Sequence, residues 1–254
     1  MGIINQFDLS GKVAIVTGSS KGIGKAIAYA FAQQGAKVVV SSRKQEAVDE
    51  VVAEFKKEGL EAIGISCHVG SEEAIKSLVE QTIAQLGGID IIVNNAAANP
   101  VFGPIQNADS PAFDKIMQVN VKGPWLLCKE AFPHLKASKG NVINISSIEG
   151  FTPGQGMGLY SVSKAALIQL TKSLAREWGP YGIRANTICP GLIKTKFSQA
   201  LFVNEQILKT VLAKQAISKV GESEDISGLA VFLASDAAAF CTGESFTADG
   251  GYTI

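Results

Sequence analysis

Apolar positions along this chain fall into two alternating kinds of stretch. Short runs rich in Val and Ile lie at Lys12–Thr17, Lys37–Val40, Ala62–Ser66, Ile89–Asn94, Asn141–Ser146, Arg184–Cys189 and Glu244–Ala248. Their length and continuity suit buried strands. Between them lie longer amphipathic stretches at Ile23–Gln34, Lys44–Glu58, Glu72–Leu86, Pro111–Lys136, Tyr160–Trp178 and Ser223–Ala234, which read as helices. Gly35, Gly59 and Gly87 follow three of these, where a left-handed cap residue would sit. Ser110 before Pro111 reads as an N-cap with proline at the first helical position. The acids around Ser223 suit a helix N-terminus, where they meet the positive end of the dipole.

Strand and helix alternating throughout predict parallel pairing with right-handed crossovers. The expected fold is therefore α/β, a doubly wound sheet of about seven strands with helices on both faces. No repeat, low-complexity tract or Pro/Ser linker divides residues 1–254, so one domain is expected. The least regular part, near 191–216, opens with Pro190-Gly191 and scatters its apolar residues, as a substrate-loop insertion or lid would.

Composition narrows the field by exclusion. The chain has 254 residues, 46% of them hydrophobic and 18% charged, with a formal net charge of zero. That balance gives no electrostatic footprint for nucleic acid or for an anionic membrane. The first residues show no basic segment followed by an apolar one, and no apolar run approaches the ~18 residues a span requires, so a cytoplasmic protein is expected. Cys67, Cys128, Cys189 and Cys241 are far apart and lack zinc-ligand spacing; buried free thiols and no metal are expected.

Chemistry enters after the first strand, at Thr17-Gly18-Ser19-Ser20-Lys21-Gly22-Ile23-Gly24. Glycines there let a pyrophosphate approach main-chain N–H groups at the start of a helix. The spacing Gly-x3-Gly-x-Gly differs from both the Gly-x-Gly-x-x-Gly fingerprint and the P-loop. After the second strand an acid would bind the ribose 2′-hydroxyl of NAD, and a base would accommodate the 2′-phosphate of NADP. Here stand Ser42, Arg43 and Lys44, with Lys21 in the loop as a further cation, so NADP is favoured over NAD. Later, Tyr160 and Lys164 lie four apart in a predicted helix and share a face. A phenol with an ammonium neighbour is a usable proton donor and acceptor, though such pairs are more often surface neighbours.

Taken with Asn94-Asn95-Ala96-Ala97, Asn120, Ser146-Ser147, Pro190-Gly191 and Asp249-Gly250-Gly251, these segments resemble the short-chain dehydrogenase/reductase family over essentially the whole chain. The resemblance implies a Rossmann-type fold and a catalytic tetrad of Asn120, Ser147, Tyr160 and Lys164. In that scheme Tyr160 donates the proton and Ser147 steadies the carbonyl oxygen. Lys164 lowers the Tyr160 pKa and bonds the nicotinamide ribose, and Asn120 holds a water that relays protons. The cofactor contacts it implies are Gly18, Ser20, Lys21, Gly22, Ile23 and Gly24, then Ser42 and Arg43, then Asn94 and Ala96, and finally Pro190, Gly191, Ile193 and Thr195, beside Tyr160 and Lys164 themselves.

One departure concerns the adenine. The family often has an Asp after the third strand, where this chain has Cys67-His68-Val69; His68 or the backbone then makes the contact, with Val69 beside it. Arg43 with Cys67–Gly70 most resembles the NADP-dependent carbonyl and retinal reductase subgroup. The expected activity is reversible reduction of a ketone or aldehyde by NADPH. A 3-oxoacyl carrier-protein reductase, a sugar-acid or steroid dehydrogenase, and a cofactor-binding regulator stand as alternatives. The resemblance also implies a homotetramer with interfaces on the long helices and on Phe240–Ile254.

Overall fold

The structure, a computed structural model, describes residues 3–199 and 205–254. The strands are β1 (Val13–Thr17), β2 (Lys37–Ser42), β3 (Ala62–Ser66), β4 (Ile91–Asn94), β5 (Asn141–Ile145), β6 (Arg184–Pro190) and β7 (Ser245–Ala248). They form one sheet in the order β3-β2-β1-β4-β5-β6-β7, every pair parallel. The chain winds outward from β1 through β2 to β3, then crosses back to β4. The strand order therefore reverses between β1 and β4, and beyond the C-terminal ends at such a reversal open α/β sheets bind their ligands.

Alternation of side chains along each strand supplies both faces of the core. Ala14, Val16, Val38 and Val40 point one way, and Ile15 and Val39 the other. The first face is covered by α1 (Gly22–Gln33) and α2 (Gln45–Lys57), through Ile27, Phe31, Val48 and Phe55. The second is covered by α3 (Glu72–Leu86), α5 (Gly123–Ser138) and α6 (Gly158–Trp178), with α4 (Ser110–Met117) packed against α6. Among the described residues two more helices follow: α7 (Glu205–Lys214), which the irregular pattern there had not suggested, and α8 (Glu224–Ala234), which packs beside α1 on the first face. The part of the expected substrate loop at 200–204 lies outside the described residues.

The expected caps hold at Gly35, Gly59 and Gly87, all with φ near +80°. The cap of α4 moves by one residue: Asp109, not Ser110, takes the position, and its carboxylate accepts from Ala112 N at 2.9 Å. Pro111 remains in the first turn, where no N–H is needed. The predicted helix Pro111–Lys136 is interrupted by a π turn at Gln118–Lys122, with Asn120 at its centre. The reason is in the sequence. Asn120 would bond the N–H four residues on, and that residue is Pro124, which has none.

Cys67, Cys128 and Cys189 are buried and free, and Cys241 is free and partly exposed. Among the described residues, no helix is long and apolar enough to cross a membrane.

Candidate active site at the C-terminal edge of the sheet

The glycine loop lies at the strand-order reversal. Gly18 and Gly22 have φ of +65° and +58°, and a Cβ on Gly18 would stand 2.9 Å from the Ala96 Cα. The close approach is held from the other side by Asn95. Its Nδ2 donates to Thr17 O at 2.9 Å and Gly18 O at 3.1 Å, while its own N–H and that of Ala96 reach Thr17 Oγ1. Ser19 ties the loop to β2: its Oγ donates to Val16 O, and it exchanges bonds with Ser41. Ser42 and the exposed Arg43 are thereby set beside the loop.

This cradle fits a dinucleotide on structural grounds. The N-cap position of α1 is Lys21, which makes no side-chain cap, so the first N–H groups of the helix are left for an anion. Opposite them, a Cβ on Gly22 would lie 3.2 Å from Thr195, so the loop and the segment after β6 are neighbours. Lys21 is exposed, and Ser20 and Ile23 are partly buried around the same turn.

Several other expected contacts are available through the backbone alone. The Asn94 amide is spent on Asn144 Oδ1 at 2.8 Å and on Cys128 Sγ. Val69 is buried in the second core layer, where Gly123 lets α5 close on its carbonyl. His68 folds back to accept from Gly70 N through Nδ1, and its Nε2 lies 3.1 Å from Lys115 Nζ. Ile193 is buried in the first layer, beside Gly221. Pro190 ends β6, and Gly191 lies so close to Asp249 that a Cβ would stand 2.7 Å from its Cα.

The expected catalytic residues converge at the ends of β5 and α6. Ser147 follows β5 and opens a 3₁₀ turn (Ile148–Gly150); its Oγ accepts from Glu149 N at 3.2 Å and lies close enough to the Tyr160 phenol to act on its pKa. Lys164, one turn along α6, is 2% exposed and donates to Ile145 O at 2.7 Å, its Nζ 5.5 Å from the Tyr160 ring centre. Burial pulls Lys164 down to about 8, with Cys189 acting against that fall. Burial also pushes the Tyr160 phenol up, the Ser147 hydroxyl opposes it, and the Glu149 carboxylate adds to the rise. The expected lowering of Tyr160 by Lys164 is not seen here. The ammonium is turned to a carbonyl, and the burial that favours neutral lysine also favours the neutral phenol.

Asn120 is 1% exposed and its amide is fully used. Oδ1 accepts from Ala98 N at 2.7 Å, and Nδ2 donates to Ala98 O and to Ser163 Oγ, both at 3.0 Å. The side chain makes no bond to Lys164. It braces the β4 exit against α6, and only the main chain of the π turn is left to hold a water.

Four participants were not singled out from sequence. Asn95 was quoted within a motif but given no role. Glu149 and Ser163 flank recognised residues, and Phe197 places its ring 6.0 Å from that of Tyr160. Only Asn95 had a sequence signal, a second polar residue directly after a buried strand.

Comparison with known proteins agrees with this geometry. The family described as Enoyl-(Acyl carrier protein) reductase matches residues 18–253. The human protein "Dehydrogenase/reductase SDR family member 4" is 45% identical over 251 residues, covering 98% of this chain and 90% of that protein. The chain belongs to the short-chain dehydrogenase/reductase family. As a member, it is an oxidoreductase that uses a nicotinamide dinucleotide. The solved gluconate 5-dehydrogenase from Burkholderia cenocepacia J2315, in complex with NADP and tartrate, superposes with a TM-score of 0.96 at 29% identity, over 99% of each chain. A 7α-hydroxysteroid dehydrogenase complexed with NADH and 7-oxo glycochenodeoxycholic acid superposes at 0.95 with 33% identity, over 99% of this chain and 98% of that one. These relatives differ in both substrate and cofactor, so membership alone decides neither.

Proposed function

We propose that the protein transfers a hydride between NADP(H) and a ketone or aldehyde, or the corresponding alcohol, with Tyr160 as the acid and base. The observation that carries this reading is the Ser147–Tyr160–Lys164 cluster. A buried phenol, with the Ser147 hydroxyl acting on it, lies one turn before a buried lysine of lowered pKa. A proton donor at a desolvated carbonyl needs those parts. When bound, the dinucleotide supplies or accepts the hydride.

The protein's own residues would do the rest. Ser147 donates to the carbonyl oxygen as negative charge develops there. Tyr160 delivers the proton to that oxygen in reduction and takes it back in oxidation. Lys164, near its midpoint at mildly alkaline pH, passes a proton inward, and the Asn120 carbonyl, deprived of an N–H by Pro124, holds the water that connects it to solvent. Gly18 to Gly24 bind the pyrophosphate, and the backbone at Asn94, Val69 and Ile193 lines the adenosine and carboxamide ends. Arg43, with Ser42 and Lys21, favours the 2′-phosphate of NADP, since no acid stands where the 2′-hydroxyl of NAD would bind. Four free cysteines agree with a reducing compartment such as the cytoplasm.

The test is turnover of a neutral aromatic diketone with NADPH and with NADH. NADPH is expected to be preferred at least tenfold, and Tyr160→Phe to lose a factor of about 10² to 10⁴ in kcat while still binding NADPH in a fluorescence titration. An NADH preference would remove the role given to Arg43. Unchanged turnover in Tyr160→Phe would remove the acid–base assignment.

A further inference from the structure

Glu149 is an acid beside the reacting phenol that the proposed reaction does not use. It lies two residues beyond Ser147, in the 3₁₀ turn that Ser147 opens, and is partly buried. Its Oε2 accepts from Ser161 Oγ at 3.0 Å and from Gly154 N. One carboxylate thereby fastens the loop after the turn to the first turn of α6, next to Tyr160. Gly154 makes room for it, since a Cβ there would lie 2.6 Å from Oε1. The charge acts on the Tyr160 phenol itself.

The remaining surroundings of the mouth are apolar. Exposed Phe102 and Ile105 line a cavity of about 290 Å³ between 99–108 and 156–159, the latter just before Tyr160 in the chain; exposed Phe151 lies two residues after Glu149, and exposed Phe197 sets its ring 6.0 Å from that of Tyr160. The other charged groups of these segments are committed or turned outward. Asp109 caps α4, Lys164 bonds Ile145 O, and Lys194 and Lys196 are exposed.

We infer that Glu149 is a specificity determinant: it turns away carbonyl substrates that carry a negative charge next to the carbonyl and admits uncharged or cationic apolar ones. A fixed carboxylate in a partly desolvated site repels a second carboxylate far more strongly than water would allow, and a like charge is an effective means of rejection. The inference rests on the proposed carbonyl reduction.

The experiment compares two ketones of similar shape, 1-phenyl-1,2-propanedione and benzoylformate, with NADPH. Wild type is expected to favour the neutral diketone. Glu149→Gln keeps an acceptor for Gly154 and Ser161 and removes the charge. It should lower the neutral-to-anionic ratio of kcat/KM about tenfold, equivalent to about 1.4 kcal/mol. Glu149→Ala, which loses the fastening as well, should lower the same ratio even if overall turnover falls. Calorimetric titration of NADPH-loaded protein with benzoate supplies a readout without turnover, and binding should tighten about tenfold in Glu149→Gln. Diketone turnover with an unchanged ratio, or unchanged benzoate binding, overturns the inference. Absence of diketone turnover in wild type overturns instead the reading beneath it, and the titration still decides on Glu149.

Discussion

Lys164 illustrates how far burial can move a single residue. Its ammonium is 2% exposed and bonded to one carbonyl, and its pKa falls from 10.5 to about 8. The unfolded chain therefore binds one more proton than the native protein between those two values. Native stability gains from this residue as pH rises through the window, by up to about 3 kcal/mol. Below pH 8 the cost of a buried charge is fully present. Lys164→Met removes the titrating group, so chemical denaturation at pH 7 and pH 9.5 should show the variant's stability advantage shrinking with pH. Comparing the two proteins matters, because the buried thiols of Cys67, Cys128 and Cys189, raised to between about 11 and 12, pull stability down above pH 9 in both. At this scale helical spacing set Tyr160 and Lys164 on one face, the family resemblance added Ser147, and the fold brings the three to the adjoining ends of β5 and α6. The sequence could not show that Lys164 faces Ile145, because that depends on how deeply α6 seats against β5.

At the scale of the element, the interruption between α4 and α5 carries the most information. A periodic apolar pattern continues through it, so periodicity alone predicts one helix. Pro124 breaks the ladder at the Asn120 carbonyl, and the chain responds with a π turn rather than an end. Pro124→Ala would return an N–H to that carbonyl. The expected outcome is unchanged or raised thermal stability, with kcat lowered about tenfold and its pH profile altered, because the proposed water loses its acceptor. Unchanged kcat and pH profile would show that the freed carbonyl has no part in proton transfer. The break was legible in principle, from a proline four residues after an asparagine. The glycine loop was legible outright, since no other residue accepts the left-handed φ at Gly18 and Gly22 so cheaply. Asn95, which pins that loop, was harder to assign. Its bonds to Thr17 and Gly18 join residues 77 and 78 positions apart.

For the whole molecule, the surface left after folding is informative. Phe113, Trp125 and Val162 are each 44–48% exposed on α4, α5 and α6, and Phe240 is fully exposed before β7. These are the surfaces on which a tetramer is proposed, and apolar side chains grouped on helix faces agree with burial against other copies. Solution scattering is expected to report about four times the chain mass of 26.6 kDa, and a monomer would remove the proposal.

The sequence by itself determined the alternation of strand and helix, the parallel sheet that follows from it, the phosphate cradle and the Tyr160–Lys164 spacing. Each is local: period, glycine placement and helical pitch act within a few residues. The tertiary structure alone decided which functional groups remain free to act. Asn94 and Asn120 spend their amide groups on distant partners, Val69 and Ile193 are drawn into the core, and Glu149 is fastened to Ser161, next to Tyr160, by the loop that Gly154 allows. Those outcomes depend on how the layers close over the sheet, and a linear pattern of residue types does not contain that closure.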